Sequence, residues 1–169
     1  EEGSGIMVGK EYLRVVDDNF RFMKKTAEDA INQVSDSGLF WKENDGCNSI
    51  AVIVKHMSGN MISRWTDFLT TDGEKVDRQR ELEFANHFSS RQEIMHCWEK
   101  GWNVFLRTLN DLSSDDLLKV VTIRNEPHSV IEAIERQMHH YSYHVGQIVF
   151  ISKQLSSENW RTLSIPLER

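Results

Sequence analysis

The segment Met138-His139-His140-Tyr141-Ser142-Tyr143-His144-Val145-Gly146-Gln147 holds three of the chain's seven histidines. On a helix, residues four apart lie about 40° apart around the axis and about 6 Å apart along it. His140 and His144 therefore project from one face and can converge on a single metal ion. His139 and His144 are five apart, about 140° around the helix, and cannot. The bland reading of the same spacing, two polar residues on a partly solvated flank, stands beside the chelating one.

A third ligand has to come from another element. His56 sits mid-helix beside Met57, about 100° from the centre of that helix's apolar stripe, the same offset that His140 and His144 have from Tyr141 and Val145. All three then fall at the edge of a helical core, where bundles build metal sites. His128 is about 18 Å of helical rise from His140, His96 faces away from its helix's stripe, and His87 is in a loop; surface placement is expected for each. Asn60, Ser63 and Asp67 share the azimuth of His56 by helical spacing. That polar line can back the histidine, touch a substrate or form a wet face. Asp67, about 16 Å along the axis, is no ligand to the same ion on a straight helix. Cys97 reads as a small buried residue without an activating neighbour in its helix. The sequence contains no GxGxxG, P-loop, GxSxG or HExxH, which removes several enzyme classes.

The elements that must position these residues are helical. Leu13, Val16, Phe20, Met23, Ala27, Ala30, Ile31 and Val34 recur at three- and four-residue steps, predicting a helix over 9–36. Val54, Met57, Met61, Trp65 and Phe68 predict a second over 49–69, capped by Asn48 or Ser49. The periodicity is lost over 70–89, a long connection that reads as a crossover between helices two and three. Ser90-Arg91-Gln92-Glu93 reads as a capping box opening a third helix with Ile94, Trp98, Phe105 and Leu109 inward. Residues 113–116 cap a short helical turn, and the β-branched 120–124 read as a small strand or an extended linker. Pro127 opens a fourth helix running to about residue 154, with Ile131, Ile134, Met138, Tyr141, Val145 and Ile148 inward. The tail over 160–166 reads as extended and packed. The fold class is all-α, a four-helix bundle forming a single domain over 1–169, with residues 1–8 as a flexible, acidic start.

The chain has 169 residues, 39% hydrophobic and 27% charged, with 20 Lys+Arg against 26 Asp+Glu for a net charge of −6. That is apolar mass enough for one unstapled core. No basic cluster suits a nucleic-acid backbone, and no apolar run approaches the ~18 residues of a membrane span. No secretory signal is expected from the acidic start, and the two cysteines, Cys47 and Cys97, suggest no disulfide framework; a reducing cytoplasm is the expected compartment.

The run His140-Tyr141-Ser142-Tyr143-His144-Val145-Gly146-Gln147-Ile148-Val149 resembles the fourth-helix signature of the DinB/YfiT-like superfamily, within a bacterial subfamily catalogued as a domain of unknown function. Residues 55–61 and 64–75, Trp98-Glu99-Lys100-Gly101-Trp102 and Arg136-Gln137-Met138 are similar to the same subfamily, and the likeness covers roughly 10–166. The resemblance implies a four-helix bundle of non-standard topology, usually a homodimer. It also implies a divalent metal, often nickel or zinc, held by His56, His140 and His144. Characterised relatives include thiol S-transferases using bacillithiol or mycothiol and a mycothiol-dependent isomerase; others are described as hydrolases. The expected function is therefore a metal-dependent thiol S-transferase acting on a small molecule. The alternatives are a metal-dependent hydrolase or a non-catalytic metal-binding dimer. His87 and its neighbours match no family feature, so the role of the 70–89 loop is open.

Overall fold

The computed structural model describes residues 2–166. In chain order these form α1 (Glu2–Ile31), α2 (Ile50–Trp65), a single-turn α3 (Arg80–Glu83), α4 (Arg91–Asp111), β1 (Val120–Ile123), β2 (Glu126–Ser129) and α5 (Val130–Ser156), with 3-10 turns at Ser37–Phe40, Ser114–Asp116 and Ser157–Asn159. The protein is mostly helical, and among the described residues no helix is long and apolar enough to cross a membrane.

The apolar stripes meet in one core. α2 packs on α4 and α5, and α1 packs on α5 and α4. Phe20, Trp65, Trp98, Trp102, Phe105 and Tyr141 are fully buried there; removing each aromatic side chain from water is worth about 3 kcal/mol. α4 lies close on α2 because position 101 is glycine: a Cβ there would sit 2.7 Å from Ser58 Cα. Ser58 Oγ then donates to the Cys97 carbonyl at 2.8 Å.

Several boundaries differ from those read off the pattern, each for a local reason. α1 begins at Glu2 rather than residue 9, so 2–8 are helical instead of a flexible start. Ser114 Oγ donates to the Ile6 carbonyl at 3.1 Å, and Gly9 is buried against Ser114 and Leu117. Residue 1 lies outside the described residues. At its other end α1 stops at Ile31, five residues before the expected limit. α2 is capped by Ser49 and ends at Trp65 rather than Leu69, just before Asp67 enters a left-handed conformation at φ 49°.

α5 starts at Val130 and not at Pro127. Ser129 accepts from Glu132 N while the Glu132 carboxylate accepts from Ser129 N, a reciprocal cap. Pro127 instead lies on β2, opposite Thr122 on β1, so 120–123 are a strand and His128 is on a strand too. The hairpin turns through Arg124 and Asn125, both at positive φ (53° and 64°), as a tight two-residue turn requires. At α4, Ser90 accepts from Glu93 N as expected, but the Glu93 carboxylate takes the Ser89 amide and hydroxyl.

The 70–89 connection is stitched down along its first half. Gly73 N donates to the Thr122 carbonyl at 2.8 Å, joining the loop to the hairpin. The Asp72 carboxylate accepts from the amides of Glu74, Arg124 and Asn125. Ser63, on α2, donates to the Gly73 carbonyl and accepts from Lys75 N. In the tail, Trp160 and Leu163 pack against the core, and Gln33 bonds the backbone of Arg161 through both its amide atoms.

Candidate metal centre

His56 stands mid-way along α2, and His140 and His144 stand one turn apart on α5, where α2 and α5 pack together. The three rings meet. His140 Nε2 lies 3.2 Å from His56 Nε2 and 3.0 Å from His144 Nε2, and one nitrogen from each ring falls within 4.8 Å of the other two. His56 and His144 are 5% and 7% exposed, and His140 is half-buried.

The outward nitrogens decide which way the inward ones act. His56 Nδ1 donates to Glu83 Oε2 at 2.9 Å, and His144 Nδ1 donates to Gln147 Oε1 at 2.8 Å. A carboxylate or amide oxygen can only accept, so in both rings Nδ1 carries a proton, and in the neutral ring Nε2 then turns a bare lone pair inward. One N–H on His140 can satisfy only one of those lone pairs. Nitrogens held about 2.0–2.1 Å from one ion at tetrahedral angles stand roughly 3.3–3.4 Å apart, close to the two separations that His140 makes. Burial, then the neighbouring His144 and His56, push His140 down to about 3. Burial outweighs the Gln147 hydrogen bond and brings His144 down to about 4. At neutral pH both are therefore uncharged, the form that binds metal. His56, His140 and His144 are thus positioned to hold a metal ion.

Glu83 reaches this centre from the connection whose role the sequence left open. α3 sits on α2 because Lys55 Nζ donates to the carbonyls of Leu82 and Ala85, and because the Phe84 ring lies 4.8 Å from that of His56. Position 59 has to be glycine for this approach: a Cβ there would fall 2.3 Å from Glu83 Oε1. Arg78 grips the same carboxylate with two hydrogen bonds, Nε to Oε1 at 2.8 Å and Nη2 to Oε2 at 2.9 Å. Burial raises the Glu83 carboxyl, but the His56 and Arg78 hydrogen bonds outweigh it and hold the group ionised below its usual range.

The histidines open onto a cavity of about 540 Å³, lined also by Asn60, Phe84, Gln137, Tyr143 and several arginines. Of the polar line on α2, Asn60 lines this cavity and accepts from Tyr141 OH at 2.7 Å. Ser63 binds the loop backbone instead, and Asp67 lies beyond the helix end, exposed. His139 lines the cavity on the solvent side, outside the trio. His87 and His96 line a separate, larger cavity of about 1230 Å³ between α2, α4 and the loop, and His128 bonds the Glu126 carbonyl on β2. Cys97 faces that larger cavity, and burial raises its thiol pKa despite the Ser58 hydrogen bond. Trp65, Trp98 and Trp102 are core, whereas Tyr143 is exposed beside His144.

Sequence spacing paired His140 with His144 and offered His56 as the candidate third, but it missed what holds them. Glu83 and Arg78 lie in an aperiodic stretch, 27 and 22 residues from His56, and no helical rule connects them to it. The available signal was Gly59, three residues after His56 on the same face, where a missing side chain marks close approach by another element.

A family model described as "Protein of unknown function (DUF1572)" matches residues 7–169. No curated protein matches the chain, and no solved structure does.

Proposed function

The chain belongs to the DUF1572 family, whose description assigns no activity, and from the chemistry of its own site we propose that it is a three-histidine, divalent-metal-dependent enzyme, specifically a thiol S-transferase of the bacillithiol-using type. The observation that carries this is the convergence of His56, His140 and His144 through Nε2 with two of the lone pairs held inward. Three neutral imidazoles leave an ion its full charge and an open position. A divalent ion there supplies Lewis-acid stabilisation of a low-molecular-weight thiolate at neutral pH. Zinc and nickel suit the all-nitrogen donor set.

The chain's own residues supply the rest. Glu83 and Gln147 orient two of the rings, and Arg78 keeps Glu83 ionised. Tyr141, bonded to Trp65 Nε1 and Asn60, ties the floor of the cavity to the core. Among the described residues lining the cavity none is Asp or Glu. An ion there would lower the pKa of a bound thiol and of a bound water alike, so the preference for thiol transfer over the hydrolase reading rests on the resemblance in the histidine-bearing segments. The likeness to DinB/YfiT-like proteins in the α2 and α5 segments supports the same reading and extends it to their bundle topology and a homodimer. Val8, Val15 and Phe22, exposed at seven-residue spacing on α1, are apolar surface that a second copy would cover.

Elemental analysis of the purified protein, followed by thiol conjugation assays with bacillithiol, mycothiol and glutathione against an electrophile panel, tests the reading. Conjugation that disappears in His144→Ala is expected. Metal binding without conjugation, but with ester, amide or phosphoester turnover, would replace it with the hydrolase. Metal binding with neither activity would leave a non-catalytic metal protein.

A further inference from the structure

Five arginines, Arg64, Arg78, Arg80, Arg124 and Arg136, line the cavity in front of the three histidines. The chain as a whole carries a net charge of −6, so this is a local reversal of sign. Most of these guanidinium groups are already engaged. Arg78 holds Glu83 and Glu74, Arg124 reaches Glu74 at 3.2 Å, and Arg80 reaches Glu81 at 3.5 Å while lying over the Phe84 ring. Arg136 is exposed, with His128 Nε2 as its contact at 3.5 Å.

Arg64 is different. It is 3% exposed, yet it is incompletely paired. Its Nε donates to the Gly73 carbonyl at 3.2 Å and its Nη2 lies 3.9 Å from Glu74, while its Nη1 has no hydrogen-bond partner. The side chain is not free to turn elsewhere, because Gly73 is packed on it so closely that a Cβ there would lie 2.6 Å from Arg64 Cδ. Gln137, on α5 and 1% exposed, lines the same cavity with its Oε1 also unpartnered. Leaving a buried donor of a charged group unsatisfied is costly, so such a group calls for a partner, which an ordered water or a bound molecule can supply.

We propose that this cavity binds the oxyanion group, carboxylate or phosphate, of a small anionic molecule, with Arg64 Nη1 as its buried donor and Arg136 and Arg124 as the guanidinium groups at its mouth. Gln137 Oε1 accepts from a hydroxyl or N–H group on the same molecule. Guanidinium donors suit both oxyanions because their N–H groups match a pair of oxygens. The inference rests on the proposed function only in taking the molecule to be that enzyme's substrate or cosubstrate; the arginines bind it without the metal.

The test is calorimetric titration of the full chain, stripped of metal with a chelator, with inorganic phosphate and with succinate as separate arms. The expected result is saturable one-site binding in at least one arm, the arm identifying the oxyanion. Arg64→Gln should abolish the binding. Arg136→Gln, at an exposed position that leaves the fold intact, should weaken it about tenfold. No saturable binding of either anion overturns the proposal, and so does binding that survives Arg136→Gln and Arg64→Gln at full strength. Binding present only after zinc is restored also overturns it, because the anion then sits on the ion. Anion binding in a protein that takes up no metal would refute the proposed function and leave this inference standing; metal uptake without anion binding would do the reverse.

Discussion

Glu83 Oε2 accepts from His56 Nδ1 at 2.9 Å across 27 positions of chain, both side chains less than a tenth exposed. A carboxylate behind a ligating imidazole fixes its tautomer and raises its basicity. Glu83→Gln should therefore cost about 10–100-fold in affinity for zinc or nickel. A chelator competition titration measures this, with far-UV circular dichroism checking that the helices are retained. Unchanged affinity would show that the pair is structural only.

Two glycines on neighbouring helices should respond differently. Gly59→Ala places a Cβ against a Glu83 carboxylate that His56 and Arg78 hold in place, so its main effect should be weaker metal binding with little loss of helix. Gly101→Ala meets Ser58 backbone in the α2–α4 interface, and that overpacking should cost about 1–3 kcal/mol of stability. Thermal unfolding and metal titration on both variants separate the two effects.

Tyr141 is fully buried, accepts from Trp65 Nε1 at 3.2 Å and donates to Asn60 Oδ1 at 2.7 Å. Tyr141→Phe keeps the ring packing and strands both partners, so it should destabilise the protein by about 1–3 kcal/mol. Denaturant unfolding with an unchanged m-value would attribute the loss to these bonds.

Acid stability should depend on Asp72. Burial raises its carboxyl, but amide donors from Glu74, Asn125 and Arg124 outweigh this and hold it at about 2, against 3.8 for the free group. The folded state binds the proton less readily than the unfolded chain, so stability from Asp72 is present above about pH 4 and is lost as the pH falls towards 2. Asp72→Asn should lower the melting temperature at pH 7 and flatten the decline between pH 4 and 2. Asp116, also held at about 2 by Lys119 and the Ser113 cap, should keep part of that decline. Melting curves across that range decide it.

How much of this could be read without coordinates follows the range of each interaction. The three-and-four periodicity of Val16, Phe20 and Ala27, or of Tyr141, Val145 and Ile148, is a local signal, and these side chains are buried in the structure. The i,i+4 spacing of His140 and His144 is equally local. Boundaries set by contacts from distant residues were not legible: the early start of α1 depends on Ser114, and the late start of α5 on a hairpin that takes Pro127 into a strand.

From its residues alone the chain determined that it would be helical and which ring pair could share an ion, because helix geometry is repeated identically at every turn. Tertiary structure decided that His56 completes the set, that Glu83 and Arg78 cross from an aperiodic loop to hold it, and that arginines from α2, the loop, the hairpin and α5 gather before the same rings. Those contacts join segments whose separation along the chain carries no periodicity, so only the packing of one element on another brings them into being.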